Sequence, residues 1–238
     1  DWSGAIVTNP NCSTVFLALA LAALRDLEPE RVLVTTMQAL SGAGYPGVAS
    51  LDALGNVIPY IVGEEEKIET ETQKILGRLA AQSITGACPE RTRRLSPATG
   101  AAEVQPSAGI QPYPVAISAQ ANRVPVVHGH TEAVSVGLRT ARVQEEILEA
   151  LRDFTGKPQS LGLPSAPARP LVYLDSADRP QPRLDVERLG GMAVFVGRLR
   201  PCPVLGWKFV LLGHNTIRGA AGAAILNAEL LAAEGWLD

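Results

Sequence analysis

The feature that most constrains this chain is a polar turn between two apolar segments. The turn reads Asn9-Pro10-Asn11-Cys12-Ser13-Thr14. It follows the apolar segment 5–7, which suits a buried strand, and precedes segment 15–24, which has no glycine or proline and favours a helix. Ser13 or Thr14 is expected to cap that helix. The pattern predicts a strand-to-helix corner with Cys12 at the helix N-terminus.

A cysteine at a helix N-terminus has a specific chemical use. The free backbone N–H groups and the helix dipole there lower the pKa of a thiol and favour the thiolate. The same N–H groups can hold the oxyanion of a tetrahedral intermediate. Cys12 is therefore a candidate nucleophile. A buried cysteine acting as a small apolar side chain is equally consistent with this local pattern.

Composition narrows the class of protein. The chain has 238 residues, 46% of them hydrophobic, and a net charge of −3, which fits a globular protein of one large domain or two small ones. No basic cluster supports a nucleic-acid partner, and the apolar run after Cys12 is too short to span a membrane. Three widely separated cysteines favour a reducing compartment, so we expect a soluble, cytoplasmic protein. No metal ligands are predicted.

The remaining pattern predicts an α+β fold. Strands are expected at 31–38, 115–120, 133–138, 171–174, 192–198 and 207–212, with a short extended piece at 124–127, and further helices start near Gly63 and cover 142–154 and 217–234. The strand 31–38 is continuous and β-branched, so it is expected to be buried on both faces. The order indicates a mixed, largely antiparallel sheet with helices packed on one face. The chain is expected to form one domain, with a mobile insertion at 83–112.

A thiolate nucleophile needs a partner for proton transfer, and the chain has only three histidines. His130 lies in a predicted turn, and Arg123 just upstream could bind a carboxylate with two hydrogen bonds. Gln38 ends a predicted buried strand, where a polar amide must find a partner. Each of these residues, taken alone, also fits an ordinary structural role.

Several motifs in fixed order, taken together, resemble a known family. They are Asn9-Pro10-Asn11-Cys12-Ser13-Thr14, Thr35-Thr36-Met37-Gln38-Ala39, Ser41-Gly42-Ala43-Gly44, Gly63-Glu64-Glu65-Glu66-Lys67, Asn122-Arg123-Val124-Pro125-Val126, Gly129-His130-Thr131-Glu132, Arg179-Pro180-Gln181-Pro182-Arg183 and the segment 213–222. This series resembles the fungal and archaeal branch of the aspartate-semialdehyde dehydrogenases. The resemblance covers nearly the whole chain except about residues 83–112.

The resemblance implies a fold, a reaction and a set of site residues. The fold would be the glyceraldehyde-3-phosphate-dehydrogenase-like C-terminal domain, which carries catalysis and homodimerisation. The reaction would interconvert aspartyl phosphate and aspartate semialdehyde with NADP, through a thioester on the cysteine, in the biosynthesis of lysine, threonine and methionine. By resemblance, Cys12 is the nucleophile, His130 the general acid and base, Gln38 the residue that orients the intermediate, Arg123 the partner of the substrate α-carboxylate, Glu64 that of its amino group, Lys67 a phosphate ligand, Asn11 a further substrate contact, and Asn215 and Gly42 cofactor contacts.

One part of the family pattern has no counterpart in this sequence. Members begin with a nucleotide-binding Rossmann domain, and residues 1–238 contain no strand–G-x-G-x-x-G–helix unit. We therefore expect that the N-terminal nucleotide-binding domain is missing or supplied by another chain, and that this chain alone shows no hydride transfer with NADP. In the family, the C-terminal helix packs on that domain, so its alanine face is expected to be open to water.

Two alternatives remain open from the sequence. The first is a stand-alone derivative without a cofactor, in which Cys12 and His130 catalyse acyl transfer, hydrolysis, isomerisation or cyclisation of another small molecule. The second is an interaction module that catalyses nothing. In every case the expected partners are a small-molecule substrate and a second copy of the chain.

Overall fold

The structure is a computed structural model and describes residues 6–79 and 109–237. Its α-helices are α1 (Cys12–Ala23), α2 (Ser50–Ala53), α3 (Glu64–Ile75), α4 (Gln144–Asp153), α5 (Lys157–Ser160), α6 (Pro182–Asp185) and α7 (Gly222–Ala233). Its strands are β1 (Pro29–Gln38), β2 (Arg78–Leu79), β3 (Ile110–Gln111), β4 (Ala116–Arg123), β5 (His130–Leu138), β6 (Leu171–Leu174), β7 (Val194–Cys202) and β8 (Gly206–Gly213). Short 3₁₀ segments cover Arg25–Leu27, Leu40–Ala43 and Arg188–Gly191, and the π-helical segment Ile217–Ala221 leads into α7.

One six-stranded sheet forms the centre of the fold. Its strand order is β4-β1-β5-β8-β7-β6, and β2 pairs with β3 in a separate ribbon. β1 runs parallel to β4 and β6 runs parallel to β7, whereas the pairs β1–β5, β5–β8 and β8–β7 are antiparallel. The predicted α+β fold with a mixed, largely antiparallel sheet is confirmed.

The central strand β1 is buried on one face only. Val32, Val34 and Thr36 are buried, whereas Arg31 and Leu33 on the opposite face are exposed. The prediction that this strand is buried on both faces is therefore wrong. A continuous apolar and β-branched run cannot by itself distinguish a covered face from an open one, because side chains alternate between faces along any strand.

The core lies between the closed face of the sheet and the helices. α1 packs over β5 and β8, α3 over β4, and α4 over β6 and β7. Phe16 of α1 is fully buried, and its ring lies where a Cβ at Gly213 would stand, so the absence of a side chain at the end of β8 allows this close approach. The predicted packing of helices on one face of the sheet is confirmed. Within this layer, the start of α1 lies against one end of the sheet.

Helix α3 also protects an edge of the sheet. β4 is an outer strand, so its outward N–H groups need partners. Glu65 Oε1 accepts a hydrogen bond from the Ala121 N–H at 2.9 Å, and Glu69 Oε1 accepts one from the Ala119 N–H at 2.8 Å. Acidic side chains of α3 therefore replace a missing neighbouring strand and fix the helix against β4.

Several local predictions differ from the structure. Ile6 and Val7 are irregular and exposed rather than part of a buried strand, and residues 124–127 form no strand. His130 is the first residue of β5 and does not lie in a turn. Most of the predicted insertion lies outside the described residues, and its end forms β3, which pairs with β2.

The predicted C-terminal helix is largely correct, but it begins with a π-helical segment. On α7, Leu226 is buried with Leu163 and Met192, whereas the small residues Ala224 and Ala228 are exposed, as is Ile225. The alanine face is therefore exposed, as expected. Among the described residues, no helix is both long and apolar enough to cross a membrane.

Candidate active site

Cys12 is held at the start of α1 by a hydrogen-bonded cap. The Asn11 side chain is the N-cap, and its Oδ1 accepts hydrogen bonds from the N–H groups of Ser13 at 2.9 Å and Thr14 at 3.2 Å. The prediction that Ser13 or Thr14 caps the helix is therefore wrong by a few positions. An asparagine whose side-chain oxygen reaches the next two or three N–H groups is an equally good cap.

Two glutamates of α3 fix Asn11 in turn. Its Nδ2 donates to Glu64 Oε2 at 2.7 Å, and its backbone N–H donates to Glu71 Oε2 at 2.7 Å. Gln38, which is buried at the end of β1, donates from Nε2 to the same Glu64 oxygen at 2.9 Å. Glu64 thus joins α1, β1 and α3 at one point, directly beside Cys12.

The thiol of Cys12 is less acidic than its position predicts. Burial raises its pKa, the carboxylates of Glu64 and Glu132 raise it further, and the pKa reaches about 12. The N–H of Ser13 lowers the pKa, as expected for a helix N-terminus, but this effect is smaller. The predicted lowering of the thiol pKa is therefore wrong for the resting structure, because desolvation and the charge of Glu64 outweigh the helix terminus.

His130 is fully buried with one nitrogen engaged and the other without a partner. Its Nδ1 accepts a hydrogen bond from the Ala39 N–H at 2.9 Å, and its Nε2 has no partner among the described residues. Burial, followed by the charges of Arg123 and His214, lowers the pKa of the imidazole to about 3. The neutral ring therefore carries its proton on Nε2, which is the tautomer that the Ala39 bond selects.

Arg123 is a buried guanidinium without an ion-pair partner in the part of the chain that the structure describes. Its Nη1 donates to the Ala39 carbonyl oxygen at 2.8 Å. Burial lowers its pKa, while the charges of Glu64 and Cys12 raise it. A buried cation is costly unless an anion balances it, so this position favours binding of an anionic ligand.

Gly42 forms part of the wall of this pocket. A Cβ at position 42 would lie 2.8 Å from Arg123 Nη1 and 2.9 Å from His130 Cε1, which is too close for any side chain. Arg123 interacts electrostatically with both His130 and Cys12. The thiol, the imidazole and the guanidinium therefore belong to one site, although they come from α1, β5 and β4.

Asn215 and Lys67 lie at the border of the site. Asn215 is buried after β8, and its Oδ1 accepts from the Gly129 N–H at 2.9 Å while its Nδ2 donates to Ser41 Oγ at 2.8 Å. Lys67 is exposed, with its Nζ 3.7 Å from Glu64 Oε1. Asn215 therefore joins the loops before β5 and after β1, and Lys67 is free to reach a ligand.

Sequence reasoning missed two residues of the site. Glu132 is fully buried two positions after His130 on the same strand, and a single acid within an apolar strand was the signal that could have identified it. Gly219 lies against Cys12, since a Cβ there would be 2.6 Å from the Cys12 Cβ. The described residues include no group of three histidines, cysteines or acids that could hold a metal ion.

The fold and the pocket define a class of protein. It is an α+β domain in which a cysteine at a helix start, a buried histidine and a buried arginine share one polar site at the end of a sheet. A cysteine, a histidine and an arginine are residue types that enzymes use in covalent catalysis by a thiol.

Comparison with known proteins identifies the family. The model of the semialdehyde dehydrogenase dimerisation domain matches residues 21–218. The aspartate-semialdehyde dehydrogenase of Methanothermobacter thermautotrophicus is 48% identical over 233 residues, which cover 97% of this chain and 60% of that protein. The enzyme of Cryptococcus neoformans is 45% identical over 239 residues, which cover 99% of this chain and 60% of that protein. The chain therefore belongs to the semialdehyde dehydrogenase family.

A solved structure supports the same assignment. The structure of aspartate-semialdehyde dehydrogenase with NADP from Candida albicans superposes with a TM-score of 0.79 at 40% identity, over 95% of this chain and 57% of that chain. The expected C-terminal domain fold of this family is thus confirmed. The chain spans about 60% of the length of the curated relatives that it matches.

Proposed function

We propose that this chain carries the acyl-transfer site of an aspartate-semialdehyde dehydrogenase. The observation that supports this most directly is the grouping of Cys12 with a buried arginine that has no ion-pair partner and a buried neutral imidazole whose N–H has no hydrogen-bond partner within residues 6–79 and 109–237. A small acyl substrate with a carboxylate satisfies both unpaired groups. Membership of the family and the identities of 45–48% to its curated members support the same reaction.

In the proposed acyl step, the Cys12 sulfur attacks the acyl carbon of aspartyl phosphate, and the proton of the thiol passes to the departing phosphate. A carbon–sulfur bond forms, the carbon–oxygen bond to phosphate breaks, and phosphate leaves with the electron pair. His130 donates a hydrogen bond from Nε2 to the carbonyl oxygen, because that nitrogen carries the proton in the neutral ring. Gln38 and Asn11, both held by Glu64, orient the thioester that results.

Charged groups account for recognition of the amino acid. Arg123 binds the α-carboxylate with its guanidinium, and Glu64 binds the ammonium group. Lys67, exposed beside Glu64, binds the departing phosphate. The ammonium would also offset the charge of Glu64, the acid with the largest effect on the Cys12 pKa, and this contribution would favour the thiolate.

The described residues fit one end of a nicotinamide cofactor. Asn215 is held rigidly beside Ser41, and His128, stacked on His214 at 5.3 Å, has a buried Nδ1 without a partner among the described residues. The region around Asn215 and His128 can therefore accept a further polar group. We assign Asn215 and Gly42 to the binding of the nicotinamide end of the cofactor. When bound, NADP supplies or accepts the hydride.

A second copy of the chain is the proposed protein partner. The open face of β1 exposes Arg31, Leu33 and Thr35, and the family model is that of a dimerisation domain. We place the dimer contact on this face. Leu33→Glu should convert the dimer to monomer in analytical ultracentrifugation, whereas Leu54→Glu, a change at another exposed leucine, should not. A cytoplasmic location and a single catalytic and dimerisation domain remain predictions.

The acyl step can be tested without the cofactor. The protein is mixed with aspartyl phosphate, released phosphate is measured, and the intact mass is recorded. We expect one equivalent of phosphate and a hydroxylamine-sensitive adduct on Cys12, both absent in Cys12→Ser and strongly reduced in Arg123→Gln. An adduct that forms equally in Arg123→Gln, or on another cysteine, would contradict the proposal.

A further inference from the structure

Glu132 is a buried acid for which the proposed reaction has no role. Its side chain is fully buried on β5, and both carboxyl oxygens lack a hydrogen-bond partner among the described residues. Buried carboxyl groups are normally paired or hydrogen-bonded, because an unpaired buried charge is strongly unfavourable. A group that breaks this rule beside an active site calls for a physical explanation.

The sheet register places Glu132 one row below the site. Gln38 and His130 end their strands at the pocket, and the next residues on the same face are Thr36 and Glu132, which are direct neighbours across β1 and β5. On the other side Glu132 faces Leu211 of β8. Its neighbours within the sheet are therefore an uncharged hydroxyl group and an apolar side chain.

Helix α1 packs on β5 and β8, the strands that carry Glu132 and its neighbour Leu211. Among the residues of α1, Cys12 is the only one that titrates, and the charge of Glu132 acts on its thiol. The adjacent Ser13 Oγ is also buried without a partner among the described residues. Among the described residues, other ionisable groups around the pocket are Glu64 and Lys67 on α3, and Arg123, which acts on the thiol from β4.

These surroundings determine the form in which Glu132 exists. No cation bonds to its carboxyl group in the described residues, and burial raises its pKa well above the usual value. His130, on the same strand, is neutral because burial lowers its pKa to about 3, so it offers no positive charge either. A neutral carboxylic acid is the form that such a site stabilises.

We propose that Glu132 is a positioning residue that lies beneath Cys12 as a neutral acid, and that its ionisation suppresses formation of the thiolate. Two anions in one buried pocket repel each other, so the sulfur and the carboxyl group titrate as a coupled pair. While the carboxyl is neutral, burial and the charge of Glu64 oppose the thiolate, and Glu132 adds nothing to them. The proposal goes beyond the acyl-transfer function, because it concerns the ionisation of the thiol and requires no substrate.

The test is the rate of Cys12 alkylation by iodoacetamide as a function of pH. The measurement uses the 238-residue chain with Cys88→Ser and Cys202→Ala, so that Cys12 is the only thiol. Glu132→Gln removes the ionisable group, and Glu66→Gln, at an exposed position of α3, is the matched control. We expect equal rates for Glu132→Gln and its parent near pH 7, and a ratio that rises to about tenfold at alkaline pH. The control should follow the parent throughout.

Three results would overturn the proposal. A ratio near one at every pH would show that the carboxyl does not act on the sulfur, and a tenfold ratio already near pH 7 would show that it is ionised at rest. A purely structural role would lower the melting temperature of Glu132→Gln without changing its pH profile. If the Gln variant does not fold, Glu132→Leu repeats the comparison with a neutral side chain that needs no hydrogen bond.

A second measurement needs no variant to fold well. Glutamate labelled with ¹³C at Cδ reports the charge of the wild-type carboxyl group directly by NMR, and the signal of Glu132 should remain that of a neutral acid at pH 7. A carboxylate signal at this pH would refute the neutral form. Failure of the aspartyl phosphate assay would leave this result unaffected, so the two proposals fail independently.

Discussion

Glu64→Gln tests the idea that one carboxylate both assembles the site and restrains the thiol. Glu64 Oε2 accepts hydrogen bonds from Asn11 at 2.7 Å and Gln38 at 2.9 Å. Bonds to a charged acceptor contribute about 1.5–3 kcal/mol each, and a glutamine oxygen keeps a weaker, neutral version of them. We therefore expect a loss of about 1–3 kcal/mol in the free energy of unfolding, or roughly 2–10 °C in melting temperature.

The same substitution should make Cys12 more reactive. Removing the charge of Glu64 removes the anion with the largest effect on the thiol pKa, so alkylation by iodoacetamide should be faster than in the wild type. Glu66→Gln is the matched control, since it removes an acid from the same exposed first turn of α3 and lies outside the site. We therefore expect Glu64→Gln to be less stable than the wild type and its Cys12 thiol to be alkylated faster. Unchanged alkylation would refute the electrostatic argument, and unchanged stability would refute the structural one.

Three other substitutions test separate contacts. Folded His130 stays neutral to about pH 3, so wild-type stability should fall by about 1.4 kcal/mol per pH unit as the pH drops from about 6.5 towards 3. Urea unfolding of His130→Gln should lack this slope, and equal slopes would contradict the reasoning. Gly219→Ala places a Cβ 2.6 Å from that of Cys12, so it should lower the free energy of unfolding by about 1–3 kcal/mol and slow the alkylation of Cys12. A variant as stable as the wild type would contradict this close contact. Burial raises the pKa of Asp185, but hydrogen bonds from Arg179, the Gln181 N–H and Arg188 outweigh it and lower the pKa to about 2. In acid titrations, the free energy of unfolding of the wild type should exceed that of Asp185→Asn by about 2 kcal/mol above roughly pH 4, and this difference should disappear towards pH 2.

Much of the fold could be predicted from the sequence because its strands and helices have strong local patterns. The apolar run after Cys12, the β-branched run of β1 and the three strands after residue 170 are all present. The open face of β1 was missed, because hydrophobic residues occur on both of its faces and only tertiary contacts decide which face is covered. The strand start at His130 was missed for a similar reason, since Gly129 before it indicates a turn.

The grouping of several candidate residues could be predicted from the sequence, but their electrostatics could not. Cys12, Gln38, Arg123 and His130 do converge, and their order along the sequence indicated this through the family resemblance. The direction in which the pKa of the Cys12 thiol is shifted could not be obtained from the family resemblance. The helix N-terminus is a local property, whereas burial and the charge of Glu64 arise from the packing of α1 on the sheet and on α3, which the sequence does not display.

Without a ligand, the site carries its charges on Arg123 and Glu64 and not on the thiol or the imidazole. A thiol with a pKa of about 12 and an imidazole with a pKa of about 3 are both neutral at pH 7, so neither group is charged before a ligand binds. The pocket instead keeps its charges on Arg123 and Glu64, which match the carboxylate and ammonium groups of an amino acid. The ammonium group of such a ligand would offset the charge of Glu64, which opposes the thiolate, whereas its carboxylate would offset the charge of Arg123, which favours the thiolate. Under the proposed function, the balance of charge at the sulfur therefore depends on the bound ligand, and the thiol without a ligand is neutral at pH 7, which limits its reaction with other electrophiles.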